Sequence, residues 1–309
     1  MISLRTQPLL ALIALLCVSS FNVSAQQNND KLVFNVSVVD VDGKPVAGLK
    51  PENFSLTIDN KPRKIVSLDV ENSPAGVGIL FDVSGSVGPN GKDPKPFLRN
   101  LREGLAHFLE VGNQANEYFA AVFDGSVAFT ENWTGVSESL LSDLTPPGKK
   151  SNTALYDTLY YGIQRVVAGS QSRRVLLVIT DGSDNGSKRS YKEVVKLLKR
   201  SDVSIYAIAL YEDDKNVPRS PADGLRMLEE LTIMSGGRAV YLGYGAKLDV
   251  VKSAFEIIAT NLQNQYQLTV DKEDSTGPEK YRKLRLKLNL DQEKGQPKHM
   301  IWSREGFYQ

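Results

Sequence analysis

Apolar residues recur with period two at the start of the folded chain. Leu32, Phe34, Val36 and Val38 alternate with other residues, as do Phe54, Leu56 and Ile58. This spacing predicts half-buried strands between Lys31 and about Val70. Asp42-Gly43 and Asn60-Lys61-Pro62 supply turns. From about Pro74 to Gln263 the pattern changes. Val77 to Phe81, Tyr118 to Phe123, Val175 to Ile179 and Ile205 to Leu210 are nearly unbroken apolar runs, which suit parallel strands covered on both faces. Helical stripes lie between them. Asp93-Pro94 reads as an N-cap with proline at N1, leading into Phe97, Leu101, Leu105 and Phe108. Ser190 and Glu193 form a capping box before Tyr191, Val194, Val195 and Leu198. Gly236-Gly237 closes a helix from Asp223 to Ser235, and Val251, Phe255, Ile258 and Leu262 stripe the last one. The expected class is α/β, with a doubly wound, mostly parallel sheet. Phe123-Asp124-Gly125-Ser126 should turn a hairpin that adds one antiparallel edge strand. From Tyr266 the period returns to two, with Leu284, Leu286, Leu288 and Leu290 alternating with Lys283, Arg285, Lys287 and Asn289. A lone hairpin is marginal, so the two β ends are expected to form one small β-sandwich. The cations on that last strand read as a solvated face, because the leucines account for the pattern.

The first 25 residues follow another logic. Arg5 precedes the apolar run Leu9 to Val18, and Val23-Ser24-Ala25 offers a cleavage site. A run of ten is short for a bilayer span and fits a secretory signal peptide. Leu16 before Cys17 is too bulky for a lipidation box. The expected organisation is signal peptide 1–25, N-terminal β segment 31–72, α/β domain 74–264 and C-terminal β segment 265–309 packing with 31–72. No other stretch approaches about 18 apolar residues, so no transmembrane segment is expected in the mature chain. Cys17 is the one cysteine among 309 residues. Disulfide frameworks and cysteine-based zinc sites are thereby excluded. An exported chain without disulfides points to a bacterial periplasmic or secreted protein. Lys+Arg 37 against Asp+Glu 36 gives a net charge of +1, which argues against nucleic acid as a partner.

The chemistry concentrates where strands end. The run Ile79-Leu80-Phe81 leads directly into Asp82-Val83-Ser84-Gly85-Ser86, and Val175 to Thr180 leads into Asp181-Gly182-Ser183. In open α/β sheets, ligands gather beyond the carboxyl ends of strands at the topological switch. If the two strands are neighbours there, both aspartates meet at one rim and repel, and a hard cation would neutralise them. Hydroxyl and carboxylate oxygens suit Mg²⁺, Ca²⁺ or Mn²⁺. Thr153, at the start of another helix, can add a hydroxyl from a third loop.

Asp82-x-Ser84-x-Ser86, then Thr153, then Asp181 within ITDG, resembles the metal-ion-dependent adhesion site of von Willebrand factor type A domains. The resemblance covers about residues 74 to 264 and implies a Rossmann-like fold. The whole chain is also similar, on softer motifs such as VDGKPVAGLKPENFSLTIDNKPRKI and the terminal REGFY, to bacterial, acidobacterial-type exported proteins carrying this domain. The family implies that Ser84 and Ser86 ligate the metal directly, that Thr153 does so in the binding-competent state, and that Asp82 and Asp181 act largely through water. It implies Mg²⁺ first, with Mn²⁺ or Ca²⁺ as alternatives, and a protein partner presenting an Asp or Glu. Neutral direct ligands leave the cation able to accept that carboxylate, which is recognition without turnover.

Other readings stand beside this one. A scaffold could keep the metal site without using it for a ligand. A hydrolase built on Ser84 would want G-x-S-x-G and a suitable histidine, but Asp82 stands where the first glycine belongs. No phosphate-binding glycine loop is present. Asp124 reads as a hairpin-turn residue. Asp184 could cap a segment or join the rim, and Asp157 could steady the Thr153 loop or sit in solvent. Lys149-Lys150 could draw in an acidic partner, and at least two of Tyr156, Tyr160 and Tyr161 should pack into a core.

Overall fold

The structure is a computed structural model. It describes residues 30–88, 93–129, 132–135, 152–212, 223–273, 278–290 and 299–309. The expected signal peptide and the Lys149-Lys150 pair lie outside the described residues.

Three sheets organise the described residues. The N-terminal part supplies β1 (Lys31–Val39), β2 (Phe54–Ile58), β3 (Lys61–Arg63) and β4 (Ile65–Glu71). The central part supplies β5 (Ala75–Asp82), β6 (Glu117–Phe123), β7 (Val127–Phe129), β8 (Arg173–Thr180), β9 (Val203–Tyr211) and β10 (Ala239–Gly243), with α1 (Lys95–Val111), α2 (Leu155–Val167), α3 (Tyr191–Arg200), α4 (Asp223–Ser235) and α5 (Leu248–Gln263). The C-terminal part adds β11 (Gln265–Asp271), β12 (Tyr281–Leu288), β13 (Met300–Ser303) and β14 (Gly306–Tyr308).

The central sheet has the order β10-β9-β8-β5-β6-β7. All its neighbours are parallel except β6 and β7, which the Asp124-Gly125-Ser126 turn joins as an antiparallel pair. All eight residues of β5 are buried, because helices cover both of its faces. Val77, Ile79 and Phe81 point towards α1 and α5, while Leu80 packs with α2, α3 and α4. The continuous apolar runs of the sequence are the consequence of this double cover. The order reverses between β5 and β8, whose register pairs Phe81 with Ile179. The two strands that end in aspartate are therefore adjacent at the switch point.

The other two sheets are antiparallel, β13-β1-β11-β4 and β14-β12-β2-β3. They share one core that includes Phe34, Val36, Leu56, Leu268, Leu284 and Phe307, as the period-two pattern anticipated. Lys283, Arg285 and Lys287 alternate outwards into solvent. The turn before β3 falls at Asp59-Asn60, both with positive φ, one residue ahead of the expected Asn60-Lys61-Pro62. Left-handed conformations at both central residues suit the twist of a two-residue hairpin, and short polar side chains tolerate them best.

The chain leaves the sandwich after Glu71 and returns at Gln265, and these two residues are paired partners. Arg173, at the base of β8, ties the crossing together. Its guanidinium donates to Ser73 O on one connection (3.2 Å), to Gln265 Oε1 on the other (2.5 Å) and to Leu262 O. The Gln265 amide in turn donates to the Tyr206 hydroxyl of β9 (3.0 Å) and to Ser37 Oγ of β1 (3.2 Å). Cation–aromatic contacts add to the seam, with Arg200 over Tyr308 and Arg238 over Trp302.

Helix caps follow the sequence with one shift. Ser190 and Glu193 form the reciprocal capping box of α3. At α1 the regular helix begins at Lys95, and the Asp93 carboxylate accepts from the Lys95 amide (3.1 Å), so proline sits one place earlier than N1.

Candidate metal centre

The rim is built by four segments. The first is the turn after β5. Asp82 is fully buried, and its Oδ1 accepts from the Ser84 amide (2.9 Å). Its Oδ2 accepts from the Thr180 hydroxyl on the neighbouring strand (2.6 Å). The same hydroxyl accepts from the Gly182 amide (3.1 Å), so Thr180 couples Asp82 to the Asp181 turn. Burial pushes the Asp82 carboxyl up to about 7, against the hydrogen bonds from Thr180 and Ser84 and with the charge of Asp181.

The turn carries Ser84 and Ser86 to the edge of the sheet, with their hydroxyl oxygens 3.0 Å apart. Ser84 is buried and Ser86 is exposed. The site is therefore graded, from an enclosed carboxylate at the bottom to an open hydroxyl at the top.

The second segment follows β8. Asp181 is half-buried, and its Oδ1 accepts from the Ser183 amide (2.9 Å). Gly182 adopts φ +80°, and a Cβ there would lie 2.5 Å from the backbone of Gly224 at the start of α4. Any larger residue would push the Asp181 turn off the sheet end.

Thr153 comes from the third segment and is buried. Its amide donates to Asn185 Oδ1 (2.7 Å), and its carbonyl accepts from the amides of Asn185 and Gly186. The next amide, of Ala154, donates to Asp124 O (2.7 Å), while Val83 N donates to Phe123 O (2.9 Å). The Thr153 loop is thus locked between the loops that follow β6 and β8. Asp82, Ser84, Ser86 and Asp181 lie together at the switch point, and Thr153 is held beside them through its backbone.

The fourth segment was not legible in the sequence. Tyr244, in the loop after β10, places its hydroxyl 3.0 Å from Ser86 O and 3.4 Å from Asp181 Oδ2. Its ring packs edge-on against Phe97 of α1, with centroids 5.5 Å apart. Burial, and then the charges of Asp181 and Asp82, raise the phenol's pKa, so it stays a proton donor.

The three further acids, Asp124, Asp184 and Asp157, each accept from nearby amides. Asp124 makes the hairpin turn, accepting from the Ser126 amide (2.9 Å). Asp184 caps α2 by accepting from the Tyr156 amide (3.0 Å). Asp157 is not a solvated helix residue, since it accepts from the Lys188 and Arg189 amides (3.1 and 2.8 Å) and holds the loop behind Thr153. Tyr156 and Tyr160 pack against the helix-side core, and Tyr161 is exposed.

The donor set fits a hard divalent cation. Two carboxylates face each other's field, and the side-chain oxygens of Ser84 and Ser86 nearby are neutral hydroxyls. Neighbouring oxygens around an octahedral ion with ~2.1 Å bonds are about 3.0 Å apart, and the Ser84–Ser86 oxygen pair shows that spacing. Among the described residues no group of three or more His, Cys, Asp or Glu could hold a metal. Serine and threonine oxygens would have to contribute.

A family model for the von Willebrand factor type A domain matches residues 77–224. Among solved structures, the proximal thread matrix protein 1 of the mussel byssus is 16% identical, with a TM-score of 0.50; the match covers 66% of this chain and 50% of that one. This chain therefore spans about half the length of the mussel protein, and the likeness is one of fold. A von Willebrand factor type A protein from Catenulispora acidiphila is 10% identical over 90% of this chain and 75% of that one (TM-score 0.48). BatB from Bacteroides thetaiotaomicron is 16% identical over 60% of this chain and 98% of that one (TM-score 0.45). No curated protein matched the sequence.

Proposed function

Residues 77–224 are a von Willebrand factor type A domain, and from that premise we propose that the chain is an exported, metal-dependent protein-binding protein. Domains of this family often serve protein–protein interaction, and most are not enzymes. In the proposed mechanism Ser84, Ser86 and Thr153 would hold a divalent cation, with Mg²⁺ the first choice. When bound, the cation supplies a Lewis-acidic position for a carboxylate. The chain's residues do the rest. Asp82 and Asp181 hold negative charge at the rim, with their orientation fixed by amides and hydroxyls. Thr180 keeps the Asp82 carboxylate aligned, and the exposure of Ser86 leaves the site open to an Asp or Glu of a partner protein.

One observation carries this reading: a fully buried carboxyl group, Asp82, feels the like charge of Asp181 and starts the turn that brings two hydroxyl oxygens, of Ser84 and Ser86, to 3.0 Å from each other. The cost of burying an unpaired charge is offset if an ion arrives. The hydrolase alternative finds little support. Ser84 Oγ is bonded to Ser86 Oγ, His107 on α1 is bonded to Glu256 of α5, and His299 lies beside β13 in the sandwich. Among the described residues no helix is long and apolar enough to cross a membrane. Export rests on the first 25 residues of the sequence.

Calorimetric titration of Mg²⁺ into the wild type and Asp82→Ala tests the proposal. A saturable heat in the wild type, absent from a folded Asp82→Ala, is the expected result. Equal heats in both proteins would reject the assignment.

A further inference from the structure

Asp82 and Asp181 are fixed by the same device. In each, Oδ1 accepts from the amide two residues further on, at 2.9 Å. In each, Oδ2 faces a hydroxyl from a different segment, Thr180 for Asp82 and Tyr244 for Asp181. The two hydroxyls differ in reach. Thr180 is short, buried and on the adjacent strand. Tyr244 arrives from the loop after β10, and its single proton faces two acceptors, Ser86 O at 3.0 Å and Asp181 Oδ2 at 3.4 Å. Phe97 fixes the ring from the side. One phenol therefore spans the serine turn and the aspartate turn.

We propose that Tyr244 holds the Asp181 carboxylate back from direct contact with the cation and so sets what the site recognises. This rests on the metal reading above. A half-buried carboxylate with both oxygens engaged cannot swing without breaking a contact. Released from the phenol, Asp181 has one anchor, its own turn, and can rotate towards a nearby positive charge. A direct carboxylate binds a hard cation more tightly than a water bridge does. It also cancels part of the ion's charge, which weakens the ion's attraction for a second carboxylate. Tyr244 thus trades cation affinity for affinity towards an acidic partner.

The test uses Mn²⁺ as probe, in wild type, Tyr244→Phe, Asp181→Asn and the double variant. Tyr244→Phe keeps the ring against Phe97 and removes the hydroxyl, so its melting temperature checks that the fold survives. Electron paramagnetic resonance counts free Mn²⁺, and water-proton relaxation counts the waters on bound Mn²⁺. Tyr244→Phe is expected to bind Mn²⁺ about tenfold more tightly, because affinity rises with the number of charged direct ligands, with one bound water fewer. Acetate, added as a carboxylate probe, should displace water from its Mn²⁺ less readily than in the wild type. In the Asp181→Asn background the effect of Tyr244→Phe should vanish. Unchanged or weaker Mn²⁺ binding in Tyr244→Phe, with unchanged hydration, overturns the inference and leaves the metal site standing. A wild type that binds no Mn²⁺ overturns both.

Discussion

The two ends of the central sheet both bury charge, and they do so under opposite rules. At the base, Arg173 is 6% exposed and donates to three neutral acceptors drawn from both connections to the sandwich. Its charge is dispersed into groups that need a donor, and the outcome is attachment. At the rim, Asp82 is 0% exposed, accepts from the neutral donors Ser84 and Thr180 and feels the like charge of Asp181. Its charge stands beside a like charge rather than an opposite one, and on the metal reading proposed above the outcome is an affinity. Buried polarity is structural where its partners are built in and functional where they are not.

This contrast can be broken at either end. The largest effect is expected from Arg173→Met, which leaves Ser73 O, Leu262 O and Gln265 Oε1 without their shared donor. Urea denaturation should show a loss of about 3 kcal/mol, while Mg²⁺ affinity of the folded protein is unchanged. A parallel collapse of Mg²⁺ affinity would mean that the two ends act as one unit. A smaller effect of opposite sign is expected from Asp82→Asn. With chelator present this variant should be about 1 kcal/mol more stable than wild type, and added Mg²⁺ should no longer raise its melting temperature. Lower stability in chelator would make Asp82 a structural residue. Asp157→Ala removes the acceptor for the Lys188 and Arg189 amides and should cost about 1 kcal/mol in thermal or chemical denaturation. Last, Lys287→Ala on the outer face of β12 should stay within about 0.5 kcal/mol of wild type and leave the Mg²⁺ titration unaltered. A measurable loss of cation or acetate binding would contradict its reading as a solvated lysine.

The features legible in the sequence are those encoded within one segment. Asp82, Ser84 and Ser86 stand together at the end of an apolar run, and ITDG ends another, so both turns could be assigned to a rim before any pairing was known. The helix stripes and the capping box at Ser190 are local in the same sense. What stayed hidden depends on long-range approach. Tyr244 meets Ser86 across 158 positions of sequence, and nothing around it distinguishes it from other tyrosines near a turn. Asp157 and Asp184 were ambiguous because a short carboxylate takes whichever amides its neighbours present, and those amides come from loops that meet only in the fold. Nothing in the sequence around Arg173 marks its role, which appears only once Gln265 lies beside it. In the sandwich, the alternation marked which residues face inwards but not which strands pair, because every strand carries the same period.

The adjacency of Glu71 and Gln265 has a mechanical corollary. Tension between the two chain ends would enter through the sandwich strands and would reach the α/β unit through its two neighbouring connections and the arginine–aromatic seam. The same closeness means that a short hairpin could replace the whole excursion and reseal the sandwich, and that the excised unit would have its own ends side by side.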